Sequence, residues 1–167
     1  MIRYLTKYWY NKMEKGVMNL TQEENEWFDL IDKLYEEETE SFAYPLHDGV
    51  LINFQKINNN YELVVYVDID DENIKTKFVK ITFSNAAILE FEDNITFLKD
   101  KRQVALLEGN WNKIKSMAIY LNHELYKINN GYEFHLMVSE VGKKGAWTLK
   151  YISILCDDID VQLSYEY

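Results

Sequence analysis

The sequence predicts an α+β fold, in which an N-terminal helical segment is followed by two repeated antiparallel β-meanders at residues 50–90 and 121–161. Three observations lead to this prediction. Apolar side chains recur at helical spacing over residues 22–39. Two stretches of the chain repeat at an offset of 71, and each alternates apolar and polar residues around an asparagine-rich turn.

The helix is predicted by its ends as well as by its apolar stripe. Thr21 with Glu24 three residues later is a capping-box pattern. Pro45, the only proline of the chain, marks the end of the segment. A shorter helix is expected at residues 6–14. The residues of the stripe are Trp27, Ile31, Leu34 and Tyr35.

The repeat is visible without gaps. Residues 56–63 read Lys-Ile-Asn-Asn-Asn-Tyr-Glu-Leu, and residues 127–134 read Lys-Ile-Asn-Asn-Gly-Tyr-Glu-Phe. Extended over residues 56–88 and 127–159, the match gives nine identities in 33 positions. Chance at ordinary composition would give roughly two or three. The repeat therefore indicates two copies of one structural unit.

The strands of the two copies follow from period-2 alternation. Val50, Ile52 and Phe54 are expected on one face before the first turn. Third strands are expected at 78–84 and 149–156. The last strand alternates Ile159, Val161, Leu163, Tyr165 and Tyr167 with polar residues, which is typical of an edge strand. A single sheet and a sandwich both remain compatible with this pattern.

A chain of 167 residues and 20.0 kDa favours one domain. We expect it to span residues 1–167 in four parts. These are a helical segment (1–45), a first meander (46–93), a connector (94–117) and a second meander (118–167).

Composition excludes several classes of partner. The net charge of −10 argues against nucleic acid and against an anionic membrane surface. Cys156 is the only cysteine, so neither an internal disulfide nor a cysteine-based zinc site can form. We expect no cofactor and no bound metal. A missing signal-peptide pattern and the lack of a long apolar run predict a cytoplasmic location.

The acidity is concentrated at one end of the chain. Residues 1–45 contain five bases and ten acids, and so carry half of the net charge. This distribution predicts an acidic surface that binds a basic protein partner, and the alternative is a face that is merely solvated. The predicted partner-binding residues are Glu36, Glu37, Glu38, Glu40, Asp68, Asp70 and Asp71.

No pattern in the chain predicts a catalytic residue. His47, Asp48 and His135 would line a ligand pocket if the protein were an enzyme, although His47 and Asp48 also suit a turn before the first strand. Asp157, Asp158 and Asp160 suit either a cation or basic partner, or a polar turn before the last strand.

Three stretches carry a resemblance to a known family. They are residues 3–10, residues 46–48, and the segment from Tyr132 to Ile159 with its Tyr-Glu-Phe-His-Leu and Asp-Asp-Ile motifs. Together they resemble an uncharacterised family of Gram-positive bacterial proteins, which implies no assigned activity or site residues. In type, as a small acidic protein, the chain is also similar to immunity proteins of bacterial toxin systems.

The function expected from the sequence is therefore a non-enzymatic acidic protein-binding module, such as an immunity protein that neutralises a basic toxin. One alternative is an enzyme or small-ligand domain with a pocket between the meanders. Another is a structural or homo-oligomeric protein joined through the C-terminal edge strand.

Charge steering makes the first expectation testable. Reversing Glu36, Glu37, Glu38 and Glu40 to lysine should slow association with a basic partner by about tenfold or more, because complementary charge accelerates encounter. The association rate constant, measured at two salt concentrations, checks this. An unchanged rate that is also independent of salt would contradict a role for these acids.

Overall fold

The predicted fold class is wrong, because the computed structural model is nearly all-β. It describes residues 21–22, 46–71, 74–142, 145 and 147–164. Within these ranges an eight-stranded antiparallel sheet is accompanied by one short α-helix and one turn of 3₁₀-helix, so the class is not α+β. The predicted N-terminal helices fall almost entirely outside the described residues. The chain divides into two units, Met1–Tyr44 and Pro45–Tyr167, and the sheet belongs to the second.

The strands are numbered in chain order. They are β1 (Val50–Ile57), β2 (Asn60–Asp71), β3 (Ile74–Ser84), β4 (Ala87–Phe91), β5 (Met117–Ile128), β6 (Gly131–Val141), β7 (Trp147–Cys156) and β8 (Asp158–Ser164). The helix α1 (Lys101–Leu106) and the 3₁₀ turn (Trp111–Lys113) lie in the connector between the repeats. Asp100 caps α1, and its carboxylate accepts from the backbone N–H of Arg102 at 2.8 Å.

The two repeats exchange their fourth strands. The sheet has the order β4-β7-β6-β5-β1-β2-β3-β8, so β4 pairs with the third strand of the second repeat and β8 with that of the first. Ser84 pairs with Asp158, and Leu155 pairs with Ala87. Adding 71 to Ser84 gives Leu155, and subtracting 71 from Asp158 gives Ala87. The exchange is therefore reciprocal, and its register follows the sequence repeat up to the register shift between Ile88 and Glu90.

Two short corners make the exchange possible. Only Asn85 and Ala86 separate β3 from β4, and only Asp157 separates β7 from β8. The corners bond to each other, because Asp157 N–H donates to Ser84 O at 2.9 Å and Asn85 Nδ2 donates to Asp157 Oδ2 at 2.9 Å. Asn85 has a φ of 45°, a left-handed conformation that asparagine tolerates better than most residues. The chain thus turns a corner here instead of forming a hairpin.

A core shared by both repeats lies on the inner face of the sheet. The rings of Phe83 on β3 and Phe134 on β6 have centroids 4.9 Å apart, although these strands are four places apart in the sheet. The sheet must therefore bend until its two halves meet. Other fully buried residues that share this face are Leu63, Val65, Ile81, Leu136, Ile152 and Ile154.

The predicted common face of β1 is only partly correct. A register shift between Leu51 and Asn53 breaks the alternation. Val50 and Ile52 join an outer cluster with Leu98 and Val104 of the connector. Phe54 instead stacks on Tyr61, Phe91 and Phe97 on the inner side.

Both hairpins contain a residue with positive φ, but the residue differs between them. Asn58 adopts a φ of 56° in the first turn, whereas Gly131 adopts a φ of 139° after the second. A Cβ at Gly131 would lie well inside van der Waals contact with the carbonyl oxygen of Cys156. Glycine is therefore needed at this position only in the second repeat. The first repeat has Asn60 at the corresponding position.

Substituting alanine at Gly131 should lower the free energy of unfolding by about 2 kcal/mol or more, through the positive φ and the close approach to β7. Urea unfolding measures this. Gly109→Ala is the matched control, because nothing lies within 4 Å of its added Cβ. Equal stability of the two variants would contradict the turn geometry.

Candidate functional site

A row of polar side chains is buried on the outer face of the second repeat. On adjacent strands, Glu124 of β5 pairs with His135 of β6, and His135 pairs with Ser153 of β7. His135 Nδ1 lies 2.8 Å from Ser153 Oγ, and Nε2 lies 3.3 Å from Glu133 Oε2. Tyr126 OH donates to Glu124 Oε2 at 2.9 Å. The row is a hydrogen-bonded network within a sheet.

The first repeat keeps only part of this arrangement, because Gln55 Nε2 donates to Glu62 Oε2 at 3.1 Å but no histidine or serine stands at the positions of His135 and Ser153. The positions that correspond to Glu124, Tyr126, Glu133, His135 and Ser153 are Asn53, Gln55, Glu62, Val64 and Thr82. Val64 packs against the outer apolar cluster that the connector covers. The histidine and its serine partner are therefore a property of the second repeat alone.

Ser153, His135 and Glu133 are the residue types of an acyl-transfer catalytic triad. Such a centre needs an exposed nucleophile and unpaired backbone N–H groups for the oxyanion. Ser153 is only 5% exposed, and its strand is paired on both sides, with His135 of β6 and with Glu90 of β4. The network therefore suits the satisfaction of buried polar groups better than nucleophilic catalysis.

The other two residues of the predicted pocket lie in the turn before β1. His47 Nδ1 donates to Leu121 O at 2.5 Å, and both His47 and Asp48 are exposed. Asp48 has a φ of 64° and donates its N–H to Tyr120 O at 2.9 Å. Among the described contacts none joins this turn to His135, so the structure does not bring the three predicted residues together.

The predicted partner-binding acids fall into two groups, and the structure describes only one of them. Glu36, Glu37, Glu38 and Glu40 lie outside the described residues. Asp68, Asp70 and Asp71 belong to β2, with Asp70 paired to Lys75 and Asp71 to Ile74. Their part in binding stays a prediction.

The last strand presents the acidic feature that sequence reasoning undervalued. Asp157 forms the corner before β8, while Asp158 and Asp160 lie within the strand itself, and all three are exposed. Only Asp157 therefore lies in the polar turn considered from the sequence, and Asp158 and Asp160 do not. The signal was present in the alternation of Asp160 and Gln162 with Ile159, Val161 and Leu163.

The strand β8 occupies one end of the sheet. One edge pairs with β3 over seven consecutive residues without a register shift, and no strand in the described part of the chain pairs with the other edge. Leu163 is 58% exposed. At the opposite end, β4 has only five residues and a register shift between Ile88 and Glu90.

Cys156, which precedes this corner, is a buried thiol. Burial, together with the nearby carboxylates of Asp158 and Asp157, raises the pKa of this thiol from 9.0 to about 11. Its Sγ lies 3.8 Å from Tyr132 O. The thiol is therefore protonated at neutral pH and is a poor nucleophile or metal ligand.

The described ranges contain neither a metal-binding cluster nor a membrane-spanning helix. No group of three or more histidine, cysteine, aspartate or glutamate side chains there could hold a metal ion. The helices described for this chain include none with the length and apolar character needed to cross a bilayer. No known protein family, curated protein or solved structure matched the chain.

Proposed function

We propose that this chain is a non-enzymatic protein-binding module whose acidic surface takes a basic protein partner. The observation that supports it best is the outer edge of β8, which no strand in the described ranges covers and which carries exposed Asp158 and Asp160 beside exposed Asp157. Open edges are templates for pairing with another chain, and charged side chains select which chain can pair.

Charge strengthens this proposal. The chain has a net charge of −10, so its field attracts basic partners and repels acidic ones. The base among the strand partners of β8 is Lys80, which pairs with Gln162 and lies 3.7 Å from Glu62. Glu62 therefore offsets part of its charge, and the edge remains acidic.

The geometry favours β8 over β4 as the binding edge. A short strand with a bulge resists the addition of another strand, because the bulge interrupts its row of donors and acceptors. β4 has both features, whereas β8 has seven residues in unbroken register.

A basic toxin is one partner that fits this description. A toxin that acts on nucleic acid needs a cationic cleft for phosphate, and an acidic protein can occupy such a cleft. This finer assignment, an immunity protein, rests on charge complementarity.

A charge-reversal pair tests the proposal. Asp160→Lys changes the acidic edge, and Asp93→Lys changes an exposed acid in the turn after β4; each makes the net charge −8. Affinity capture from cells of the source organism, quantified by mass spectrometry, should recover basic proteins with the wild type and with Asp93→Lys. Recovery should fall about tenfold with Asp160→Lys and in high salt.

Equal recovery by all three proteins would contradict a partner-binding role for β8. Recovery of acidic proteins, or recovery that is insensitive to salt, would contradict the electrostatic basis of the proposal.

A further inference from the structure

The side chains of β8 form two distinct rows. Asp158 and Asp160 lie opposite Ser84 and Thr82 of β3 on the outer face. Ile159, Val161 and Leu163 lie opposite Phe83, Ile81 and Val79, so this second row continues the inner core to the edge of the sheet. A strand added beyond β8 would meet an acidic row on one face and an apolar row on the other.

From this pattern we infer that β8 binds an extended segment of a basic protein as a ninth strand, with lysine or arginine alternating with apolar residues. The inference rests on the proposed function and specifies how the partner binds. Backbone hydrogen bonds along the open edge would supply affinity, and the two rows would fix the register of the segment.

Charge favours a basic segment over a second copy of this chain as the strand that pairs with β8. If two β8 strands paired antiparallel over their full length about Val161, Asp160 would face Gln162 and Asp158 would face Ser164. No opposite charges would meet, and two chains of net charge −10 would be brought together. A basic strand instead places cations opposite Asp158 and Asp160, a favourable cross-strand pairing.

The fold already completes its edges in this way. β8 is itself added to the outer edge of β3 from the other repeat, and β4 is added to the outer edge of β7. In both cases core residues of the third strand, such as Phe83 and Ile154, pair with apolar residues of the incoming strand. A ninth strand on β8 would repeat this arrangement with a segment from another protein.

Synthetic peptides provide the test. The probe is acetyl-Lys-Val-Lys-Val-Lys-Val-Lys-amide, and its control has the same composition in the order Lys-Lys-Lys-Lys-Val-Val-Val. Binding to the full chain is measured by titration calorimetry. We expect the alternating peptide to bind about tenfold more tightly than the control, and Asp160→Lys, unlike Asp93→Lys, to remove that advantage.

N-methylation of the peptide backbone then tests strand pairing directly. Alternate residues of an added strand point their N–H groups toward β8, and the residues between them point away. Methylating the valine nitrogens or the interior lysine nitrogens should therefore abolish binding in one series and leave it within about threefold in the other. An equal effect in both series would overturn strand addition.

Two results separate this inference from the proposed function. Equal, salt-sensitive binding of both peptides that still depends on Asp160 would overturn the ninth strand and leave the acidic binding surface intact. Concentration-dependent dimerisation in analytical ultracentrifugation, lost in Asp160→Lys, would overturn the inference in favour of a second copy.

Discussion

The structure depends on the reciprocal exchange of one strand between two repeats. Each repeat builds three strands of its own, and its third strand presents an apolar edge that the fourth strand of the other repeat completes. The direct ladder between the repeats is small, since β1 and β5 share only the pair Val50 and Ile119. The exchanged strands and the core around Phe83 and Phe134 therefore hold the halves together. Burial of this shared apolar surface is the main stabilising contribution.

The exchange also determines which surfaces remain for binding. It covers the outer edges of β3 and β7, and it places β8 and β4 at the ends of the sheet. The two repeats have diverged at these ends, because β4 is short and bulged while β8 is regular and acidic. They have also diverged on the outer face, where the connector covers Val64 in one repeat and His135 lies in a polar network in the other. Function is expected where the copies differ, since their common part serves the fold.

Much of the sheet follows from the sequence, but its connections do not. Period-2 alternation identifies strands such as β2 and β6, and the offset of 71 relates them. Alternation does not state which strand pairs with which, and a two-residue link such as Asn85-Ala86 is typical of a hairpin. The core shared by the two repeats is what favours a corner at Asn85-Ala86 over a hairpin. The α+β class was wrong for the described residues, because it gave weight to helices predicted over residues that lie almost entirely outside those ranges. The bulge in β1 was missed because one extra residue leaves the local composition unchanged.

The site was predictable only in part. The sequence identified the alternation and the edge position of the last strand, but it left a binding role for Asp158 and Asp160 as an alternative to a polar turn. The partners of His135 could not be found, since contact with Ser153 requires the register of β6 and β7, which alternation alone does not give. His47 and Asp48 were grouped with His135 only by residue type, and the structure gives that grouping no described contact.

Cross-strand nuclear Overhauser effects test the exchange most directly. In a uniformly labelled sample the exchange predicts backbone contacts between Phe83 and Ile159 and, at the repeat-related position, between Ile88 and Ile154. A simple meander would instead fold β4 back on β3 as a hairpin and bring Ile81 opposite Glu90. Observation of both exchanged contacts would confirm the account, and contacts between Ile81 and Glu90 in their place would contradict it.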